Sequence, residues 1–412
     1  MKSYKQHIAE AADANLHMTH LEDALLDGGV KGTRNVINYI RNIRDMLSGN
    51  TSAPVNLTVK WDGAPAIFAG TDPADGKFFV AKKGVFNKTP KLYKSDSEID
   101  NDLSGELNSK FKVALKEFAK LGIEGVVQGD FLYTNDDLKT EDIDGESCVT
   151  FHPNTIVYAV PKASSLGKTI NGSKIGVVWH TTYSGSSLET MSASFGMAIS
   201  TKLNSVKTVW HVDASFEDKS GTATFTKAEN KALTAQLSKA GTMFRTIDVA
   251  VLNELGTNKE LNQKVNTFIN TKVRDGQRIG AVKPFVKDLQ TYIQKYYQNE
   301  ADKRKTPAGK KTQMDKATAV LGIFDKKNTR KLEAIFTLYD LLVDMKYIII
   351  AKLNTVGGIK TLLKTTKGFE VTGQEGFVAI DHYGKNALKI VDRMGFSLAN
   401  FSDQYIKGWQ KK

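Results

Sequence analysis

The sequence is poor in several features that mark other classes of protein. It has one cysteine, Cys148, in 412 residues, so neither an intrachain disulfide nor a cysteine-rich zinc site can form. The most apolar stretch of its later part, residues 341–353, contains three charged residues and is too short to cross a membrane. The first 50 residues lack the character of a signal peptide. We therefore expect a cytoplasmic protein (host cytoplasm if viral) with no membrane partner.

Acidic residues are in deficit, and the deficit is concentrated in one segment. The chain has 57 Lys and Arg against 45 Asp and Glu, a formal charge of +12. Residues 226–353 hold 24 Lys and Arg against 13 Asp and Glu, so +11 of this charge lies there. Such an excess favours a polyanionic partner, such as a nucleic-acid backbone. The alternative is a solvated helical surface that is rich in lysine without a specific partner.

The same basic segment has the periodicity of helices. Its apolar residues recur at spacings of three and four, as in Leu332, Ile335 and Phe336. Breaks between helices are expected at Pro284 and Pro307.

One stretch of the basic segment, residues 303–311, is polar and predicted to be a loop. We expect its cations to bind the polynucleotide backbone. These cations are Lys303, Arg304, Lys305, Lys310 and Lys311.

The rest of the chain is patterned differently. Residues 1–50 have helical spacing, whereas residues 55–185 have short apolar runs separated by Gly, Asp, Asn and Pro, which is typical of strands and turns. His17, His20 and Glu22 are close enough in sequence to suggest a metal site. Their spacing matches no metal-binding signature, and a polar helix start is the simpler interpretation.

The segment with the clearest chemistry is Val59-Lys60-Trp61-Asp62-Gly63, which follows a strand-like stretch. A lysine amine becomes a nucleophile when a nearby cation or a desolvated site keeps it neutral near pH 7. An aspartate two residues on can hold the ribose of a nucleotide, and glycine lets the backbone approach it closely. A surface turn after a strand has the same pattern, so this segment alone does not establish a catalytic site.

Further segments follow in an order that resembles the covalent nucleotidyltransferases, which are the ATP-dependent DNA and RNA ligases and the mRNA capping enzymes. In that class, short strands after the Lys-x-Asp-Gly segment present in turn a basic residue, an acidic residue, an aromatic residue, a Glu-Gly pair and a lysine. The resemblance covers roughly residues 55–185 and 365–395. The matching segments are 78–84, 126–132, 156–160, 375–380 and 386–390.

The resemblance implies a role for each matched residue. Lys60 would accept AMP from ATP on its amine, and Glu375 would bind the divalent metal, Mg²⁺ or Mn²⁺. Asp130, where glutamate is usual, would bind the ribose, Tyr158 would stack on the base and Lys389 would contact the α-phosphate. The metal and the neighbouring lysines would lower the pKa of Lys60. The residues assigned to nucleotide binding are Asp62, Gly63, Lys82, Lys83, Asp130, Tyr158, Lys385 and Lys389.

Two departures and one competing match bear on these roles. The class commonly has an arginine where this chain has Pro65, so a lysine of segment 78–84 would supply that charge. The last segment of the class often has two lysines one residue apart, whereas Lys389 has only Lys385 nearby. Glu124 also precedes a glycine, but it comes before the expected base-stacking strand, so the later Glu-Gly pair is preferred.

From this resemblance we expect an α+β fold. Its ATP-grasp-like nucleotidyltransferase core, residues 51–225 and 354–412, would have antiparallel sheets flanked by helices. An N-terminal helical segment, 1–50, would precede it, and an all-helical domain, 226–353, would be inserted in it. Only 23 residues follow Lys389, too few for the five-stranded OB-fold that DNA ligases and capping enzymes have after the last strand.

The missing OB-fold favours an ATP-dependent RNA ligase of the phage type, acting as a monomer in RNA repair. Such an enzyme passes AMP from its lysine to a 5′-phosphate end, and a 3′-hydroxyl then displaces the AMP. Three alternatives stay open: an ATP-dependent DNA ligase, a capping guanylyltransferase that uses GTP, and a non-catalytic nucleic-acid-binding protein on the same fold. The last would have no need of Lys60, Asp62, Glu375 and Lys389 together.

Overall fold

The structure, a computed structural model, describes residues 19–49, 55–195, 198–214, 224–354, 359–381 and 387–409. Within these ranges the chain forms fifteen strands and eleven α-helices, which confirms the expected mixed α+β composition. The strands are β1 (Thr19–His20), β2 (Val55–Lys60), β3 (Ala66–Thr71), β4 (Phe78–Ala81), β5 (Val126–Thr134), β6 (Lys139–Ile143), β7 (Glu146–Phe151), β8 (Ile156–Pro161), β9 (Ile175–Ser184), β10 (Ser192–Phe195), β11 (Val209–Asp213), β12 (Lys360–Thr365), β13 (Gly368–Val371), β14 (Gly376–Asp381) and β15 (Ala387–Val391). The helices are α1 (Asp23–Leu47), α2 (Asp96–Asp102), α3 (Gly105–Phe118), α4 (Ser165–Gly172), α5 (Lys227–Thr246), α6 (Val249–Thr257), α7 (Lys259–Arg274), α8 (Val282–Asp302), α9 (Pro307–Leu321), α10 (Lys326–Leu353) and α11 (Arg393–Phe401).

The strands form three sheets in which antiparallel pairing dominates. Sheet A has the order β1-β15-β14-β2, with β1 and β15 parallel. Sheet B has the order β10-β9-β5-β3-β4, and β11 pairs in parallel with β9. Sheet C has the order β13-β12-β8-β7-β6 and is antiparallel.

Sheet A brings together segments from opposite ends of the chain. Its strands β2 and β14 pair so that Lys60 lies opposite Gly376. Strands β14 and β15 pair so that Val378 lies opposite Lys389, and β1 places His20 beside Lys389 on the other edge. The register of this sheet therefore determines which distant side chains can meet.

Sheets B and C share an aromatic core that fixes the turn after β2. Tyr133 of sheet B and Phe151 of sheet C have ring centroids 4.9 Å apart, and Phe151 stacks on Tyr158 at 5.2 Å. Trp61 packs against Tyr158 at 5.0 Å and lies 6.3 Å from Trp210. The residue that follows Lys60 is thus anchored in this core.

The segment from Lys227 to Leu353 consists of helices α5 to α10, as its apolar spacing predicts. Helix α1 packs on α5, α6 and α10. All four helices and sheet A contribute to one hydrophobic core. The N-terminal helix therefore packs with the helices of the basic segment. Among the described residues, no helix has the length and apolarity needed to span a bilayer.

The prediction of a loop over residues 303–311 was wrong for its second half. Helix α9 begins at Pro307, and the Thr306 hydroxyl caps it by accepting a hydrogen bond from the Gly309 N–H at 3.1 Å. Proline suits the first position of a helix because the N–H it lacks would have no partner there. Lys310 and Lys311 are therefore the fourth and fifth residues of α9, and only residues 303–306 link it to α8.

Candidate functional site

The site is centred on an ion pair between two paired strands of sheet A. Lys60 is the last residue of β2, and Glu375 immediately precedes β14. Their side chains meet, with Lys60 Nζ in contact with Glu375 Oε1. The Glu375 side chain is 5% exposed and that of Lys60 is 26% exposed. The ring of Phe396 lies 5.9 Å from Lys60 Nζ, so the amine has an aromatic neighbour as well as a carboxylate.

Sheet B adds Asp130 to this pair. Ala66 at the start of β3 lies opposite Asp130 of β5, which brings the turn after Lys60 against β5. A Cβ atom at Gly63 would lie 2.5 Å from Asp130 Cβ and 2.9 Å from the Phe131 carbonyl oxygen. Gly63 is therefore required for the close approach of this turn to Asp130.

The buried carboxylates of the site are hard to ionise together. The pKa of Glu375 is raised to about 7 because burial disfavours its charge and because Asp62 and Asp130 repel it, while Lys60 acts in the opposite direction. Burial also raises the pKa of Asp130, against the charges of His180 and Lys60. Groups whose pKa values are displaced by burial and by specific neighbours are concentrated at functional sites.

The pKa of Lys60 is raised in the ligand-free protein, and its lowering by a bound metal together with the neighbouring lysines stays a prediction. Burial alone would lower it, but the charges of Glu375, Asp130 and Asp62 outweigh burial. Lys389 behaves in the opposite way, because burial and the charge of Lys60 lower its pKa. The sequence pattern identified the cations near Lys60 but did not show how strongly the nearby carboxylates raise its pKa.

Asp62 is buried and bonded to the protein itself. Its Oδ2 accepts hydrogen bonds from the N–H groups of Thr155 and Ile156, both at 2.7 Å, and its Oδ1 accepts one from Asn154 Nδ2 at 2.8 Å. Its own N–H donates to the Tyr158 hydroxyl at 2.7 Å. Asp62 thus ties the turn after Lys60 to the start of β8, and a ribose would have to share these acceptors.

Tyr158 lies in the core. Its side chain is fully buried, and its ring packs between Trp61 and Phe151. A nucleotide base could stack on it only if these neighbours moved. Strand β8 belongs to sheet C, whereas Asp130 lies on β5 of sheet B, so Tyr158 and Asp130 come from different sheets.

Strand β9, which flanks β5 on the side away from β3, contributes a residue that the sequence did not identify. His180 Nε2 lies 3.9 Å from Asp130 Oδ1, and His180 Nδ1 is hydrogen-bonded to Thr181 Oγ1 at 2.7 Å. Burial lowers the pKa of His180, although Asp130 opposes this. The available signal was a polar residue directly after the apolar run 175–179.

The two adjacent lysines after β4 serve different neighbours. Lys82 Nζ lies 3.4 Å from Asp102 Oδ2. The charge of Lys83 instead acts on Asp130 and Lys389, so Lys83 is the one associated with the site. Lys385, the other predicted phosphate contact, lies outside the described residues.

The cations predicted to bind nucleic acid are exposed, and they fall into two groups. Three of them have a carboxylate partner, whereas Lys305 and Lys310 have none in the part of the chain that the structure describes. The pairs are Lys303 Nζ with Glu300 Oε1 at 2.7 Å, Arg304 Nη2 with Glu300 Oε2 at 3.8 Å, and Lys311 Nζ with Asp315 Oδ2 at 3.0 Å.

The protein side chains alone do not complete the coordination of a magnesium ion, so the site fits this ion only if substrate phosphates supply the remaining ligands. No group of three or more His, Cys, Asp or Glu residues within the described ranges is placed to hold a metal. Glu22, considered with His20 for a metal site, pairs instead with Lys346 at 2.6 Å, and His17 lies outside the described residues. Mg²⁺ commonly takes one or two carboxylates and completes its shell with water and substrate phosphates.

Comparison with known proteins assigns the chain to a family without assigning a function. The fold and site define an α+β protein in which a half-buried lysine is paired with a buried glutamate at the ends of two strands of sheet A. The profile of a family of unknown function, DUF6267, matches residues 15–405, so the chain belongs to that family. No curated protein and no solved structure matches it. The function therefore has to be inferred from the site.

Proposed function

We propose that the protein is an ATP-dependent polynucleotide ligase, with RNA as the favoured substrate, that works through AMP bound covalently to Lys60. The observation that carries this proposal is that Lys60 on β2 and Lys389 on β15 flank β14, the strand that Glu375 immediately precedes. A structural ion pair needs only Lys60 and Glu375. Lys389 is a second cation whose charge is disfavoured there, which supports a site built for an anionic ligand.

The first step would transfer AMP to the protein. The lone pair of neutral Lys60 Nζ would attack the α-phosphorus of ATP, forming a P–N bond as the P–O bond to pyrophosphate breaks. Nζ would lose its proton to solvent once the ligand engages Glu375, its partner in the ligand-free protein. Lys389 and Lys83 would stabilise the charge on the α-phosphoryl oxygens.

Two further transfers would join the strands. An oxygen of the 5′-phosphate end would attack the phosphorus of the lysyl-AMP, breaking the P–N bond and restoring the amine. The 3′-hydroxyl oxygen would then attack the phosphorus of that 5′-phosphate, lose its proton to solvent and release AMP. Glu375, together with the substrate phosphates, would hold a divalent cation, Mg²⁺ or Mn²⁺, whose chemistry is to neutralise the charge of the phosphates.

The three sheets and the basic helices would also have roles in the proposed function. Sheets A, B and C would form the ATP-grasp-like nucleotidyltransferase core. The basic helices at 226–353 would bind the polynucleotide, because +11 of the net charge of +12 lies there. A monomeric cytoplasmic enzyme is part of this proposal.

Covalent labelling tests the proposed function. The protein is first treated with pyrophosphate to remove any bound AMP, then mixed with Mg²⁺ and ATP or GTP labelled at the α-phosphate, and denatured. We expect protein-bound label from ATP. Label from GTP alone would indicate a capping guanylyltransferase, and no label would leave a non-catalytic nucleic-acid-binding protein. Joining assays on nicked RNA and nicked DNA with 5′-phosphate ends would then separate an RNA ligase from a DNA ligase.

A further inference from the structure

The carboxyl-terminal part of the chain leaves large apolar side chains in solvent. Phe401 is 68% exposed and Trp409 is 66% exposed. Leu398, one turn before Phe401 on α11, is 60% exposed. We call these three residues the C-terminal apolar surface. Leu398 and Phe401, three residues apart on one helix, form an exposed apolar patch of the kind found at binding sites.

Helix α11 connects this surface to the Lys60 site. The helix begins two residues after β15, the strand that carries Lys389. Its Phe396 ring lies 5.9 Å from Lys60 Nζ. Phe401 follows five residues later, about 7.5 Å along the helix axis. A ligand bound to Phe401 would therefore be within a few nucleotides of the amine.

The segment after α11 returns to the same site. Lys407 Nζ contacts the carbonyl oxygen of Ala399 in α11. The Gly408 N–H donates to the Asn154 carbonyl oxygen at 2.6 Å, and the side chain of Asn154 donates to Asp62. Trp409 comes next, so its exposed ring is attached to the loop that holds Asp62.

A cation accompanies the exposed aromatic residues. The Arg274 guanidinium lies 5.3 Å from the centre of the Phe401 ring. Arg274 ends α7, which belongs to the basic segment and packs on α11. Exposed rings on which bases stack, next to cations that hold phosphates, are the usual means of binding single-stranded nucleic acid. This charge distinguishes the surface from one that would dock a purely apolar protein partner.

We propose that the C-terminal apolar surface binds the unpaired bases of a polynucleotide end that enters the Lys60 site. Phe401 and Trp409 stack on bases, and Arg274 contacts a phosphate. This proposal rests on the proposed function for the nature of the partner, and it adds that the end is bound as a single strand.

Binding of a single-stranded oligoribonucleotide tests the surface without any nucleotide or metal. A fluorescent 5′-phosphorylated strand of about 12 nucleotides is titrated with the full-length protein, and anisotropy is followed at several salt concentrations. We expect Phe401→Ala and Trp409→Ala each to weaken binding roughly tenfold with an unchanged salt slope. Phe401→Trp keeps an aromatic ring at this position and should bind the strand about as tightly as the wild type does. Arg274→Ala should reduce the salt slope by about 0.7, the value of one phosphate contact on a single strand.

A matched control and a modified strand complete the test. Val249 is 56% exposed at the start of α6, and Val249→Ala should bind as the wild type does. A strand with abasic sites should bind the wild type more weakly than the intact strand does, whereas the double variant Phe401→Ala with Trp409→Ala should bind the two strands almost equally. Wild-type affinity in the Phe401 and Trp409 variants, or no binding by the wild type, would overturn the proposal. If these variants instead change the self-association of the protein and leave its RNA affinity unchanged, the surface is a protein interface and the proposal is overturned. Because the assay contains no ATP, its outcome is independent of whether Lys60 becomes labelled.

Discussion

The ammonium group of Lys60 is in contact with the carboxylate of Glu375, although the two residues come from opposite ends of the chain. The register of β2 against β14 brings them together, and Asp130 adds a second carboxylate from sheet B. In the ligand-free protein this environment keeps the amine protonated. A ligand that engages the carboxylates would therefore favour the neutral, nucleophilic form of Lys60.

Replacement of Lys60 by arginine separates the chemistry from the ion pair. A guanidinium keeps the positive charge beside Glu375 but does not lose its proton, so it cannot attack phosphorus. We expect Lys60→Arg to lose all ATP-derived label while its melting temperature and its affinity for single-stranded RNA stay close to those of the wild type. Lys60→Ala should also lose the label and keep RNA binding. Persistent label in Lys60→Arg would identify a different nucleophile, and loss of RNA binding would make Lys60 a structural residue.

The titration of Glu375 should be visible in the stability of the protein. Its pKa rises from an ordinary value of 4.5 to about 7 on folding, so the folded protein binds this proton more tightly than the unfolded chain. The stabilisation is present below the unfolded pKa and is lost as the pH rises through the folded pKa. We expect the melting temperature of the wild type, relative to non-titrating Glu375→Gln, to fall between about pH 5 and about pH 8. A difference that is constant over this range would show that Glu375 does not titrate there.

The sequence predicted the parts of the site that depend on local pattern and failed where pairing over a distance decides. Lys60, Glu375 and Lys389 each stand in a short segment with its own pattern, and the structure brings them together. Tyr158 and His180 lie in apolar strands that look alike in sequence, but β9 pairs with β5 whereas β8 joins another sheet. Alternation in a strand does not identify its neighbour, so the roles of these two residues could not be assigned from sequence.

The pKa of Lys60 was unpredictable for a related reason. It depends on Glu375 and Asp130, which reach the amine from separate segments, and on Asp62 two residues along the chain. Local sequence shows that such residues exist but not their distance from one lysine. The start of α9 at Pro307 was missed for another reason, because a proline followed closely by a glycine and two lysines is typical of loops as well as of helix starts.

Asp62 should contribute to stability independently of any nucleotide. Its carboxylate accepts three N–H hydrogen bonds inside the protein, and each bond to a charged group contributes about 1.5–3 kcal/mol. Asparagine keeps one oxygen and turns an NH₂ group toward the remaining donors. We expect Asp62→Asn to lower the free energy of unfolding by about 3 kcal/mol in urea denaturation without ligand. Asp75→Asn, at an exposed aspartate, is the control and should change little. Unchanged stability of Asp62→Asn would leave ribose binding as the main role of Asp62.

Among the exposed cations of segment 303–311, the two without a carboxylate partner in the described part of the chain should contribute most to polynucleotide binding. Lys305 and Lys310 can each neutralise a phosphate without breaking an existing pair. We expect Lys305→Gln with Lys310→Gln to weaken RNA binding and to make the salt dependence less steep by about 0.7 per residue. Lys303→Gln with Lys311→Gln is the control, with a smaller effect because both lysines already have partners. Equal affinity and salt slope in all three proteins would exclude this segment from the binding surface.

The buried pair Glu22 and Lys346 should hold the N-terminal helix onto the basic helices. The two side chains are each 1% exposed and lie 2.6 Å apart. Burial would raise the pKa of Glu22, but Lys346 and Arg393 lower it to about 2, so its carboxylate is ionised at neutral pH. Lys346→Met leaves that buried charge with Arg393 alone, whose Nη1 lies 3.4 Å from Glu22 Oε1. We expect a loss of about 3–5 kcal/mol in the free energy of unfolding, measured in urea.

A second substitution distinguishes the loss of this pair from a general packing defect. Glu22→Gln combined with Lys346→Met removes the buried negative charge that Lys346→Met leaves without its lysine partner. We therefore expect the double variant to recover part of the lost stability. Lys331→Met disrupts a more exposed pair with Asp248, and it should have a much smaller effect because exposed pairs contribute little. If the double variant is less stable than Lys346→Met, the instability comes from packing around the methionine. If it is more stable, the buried charge of Glu22 is what Lys346 neutralises in the folded protein.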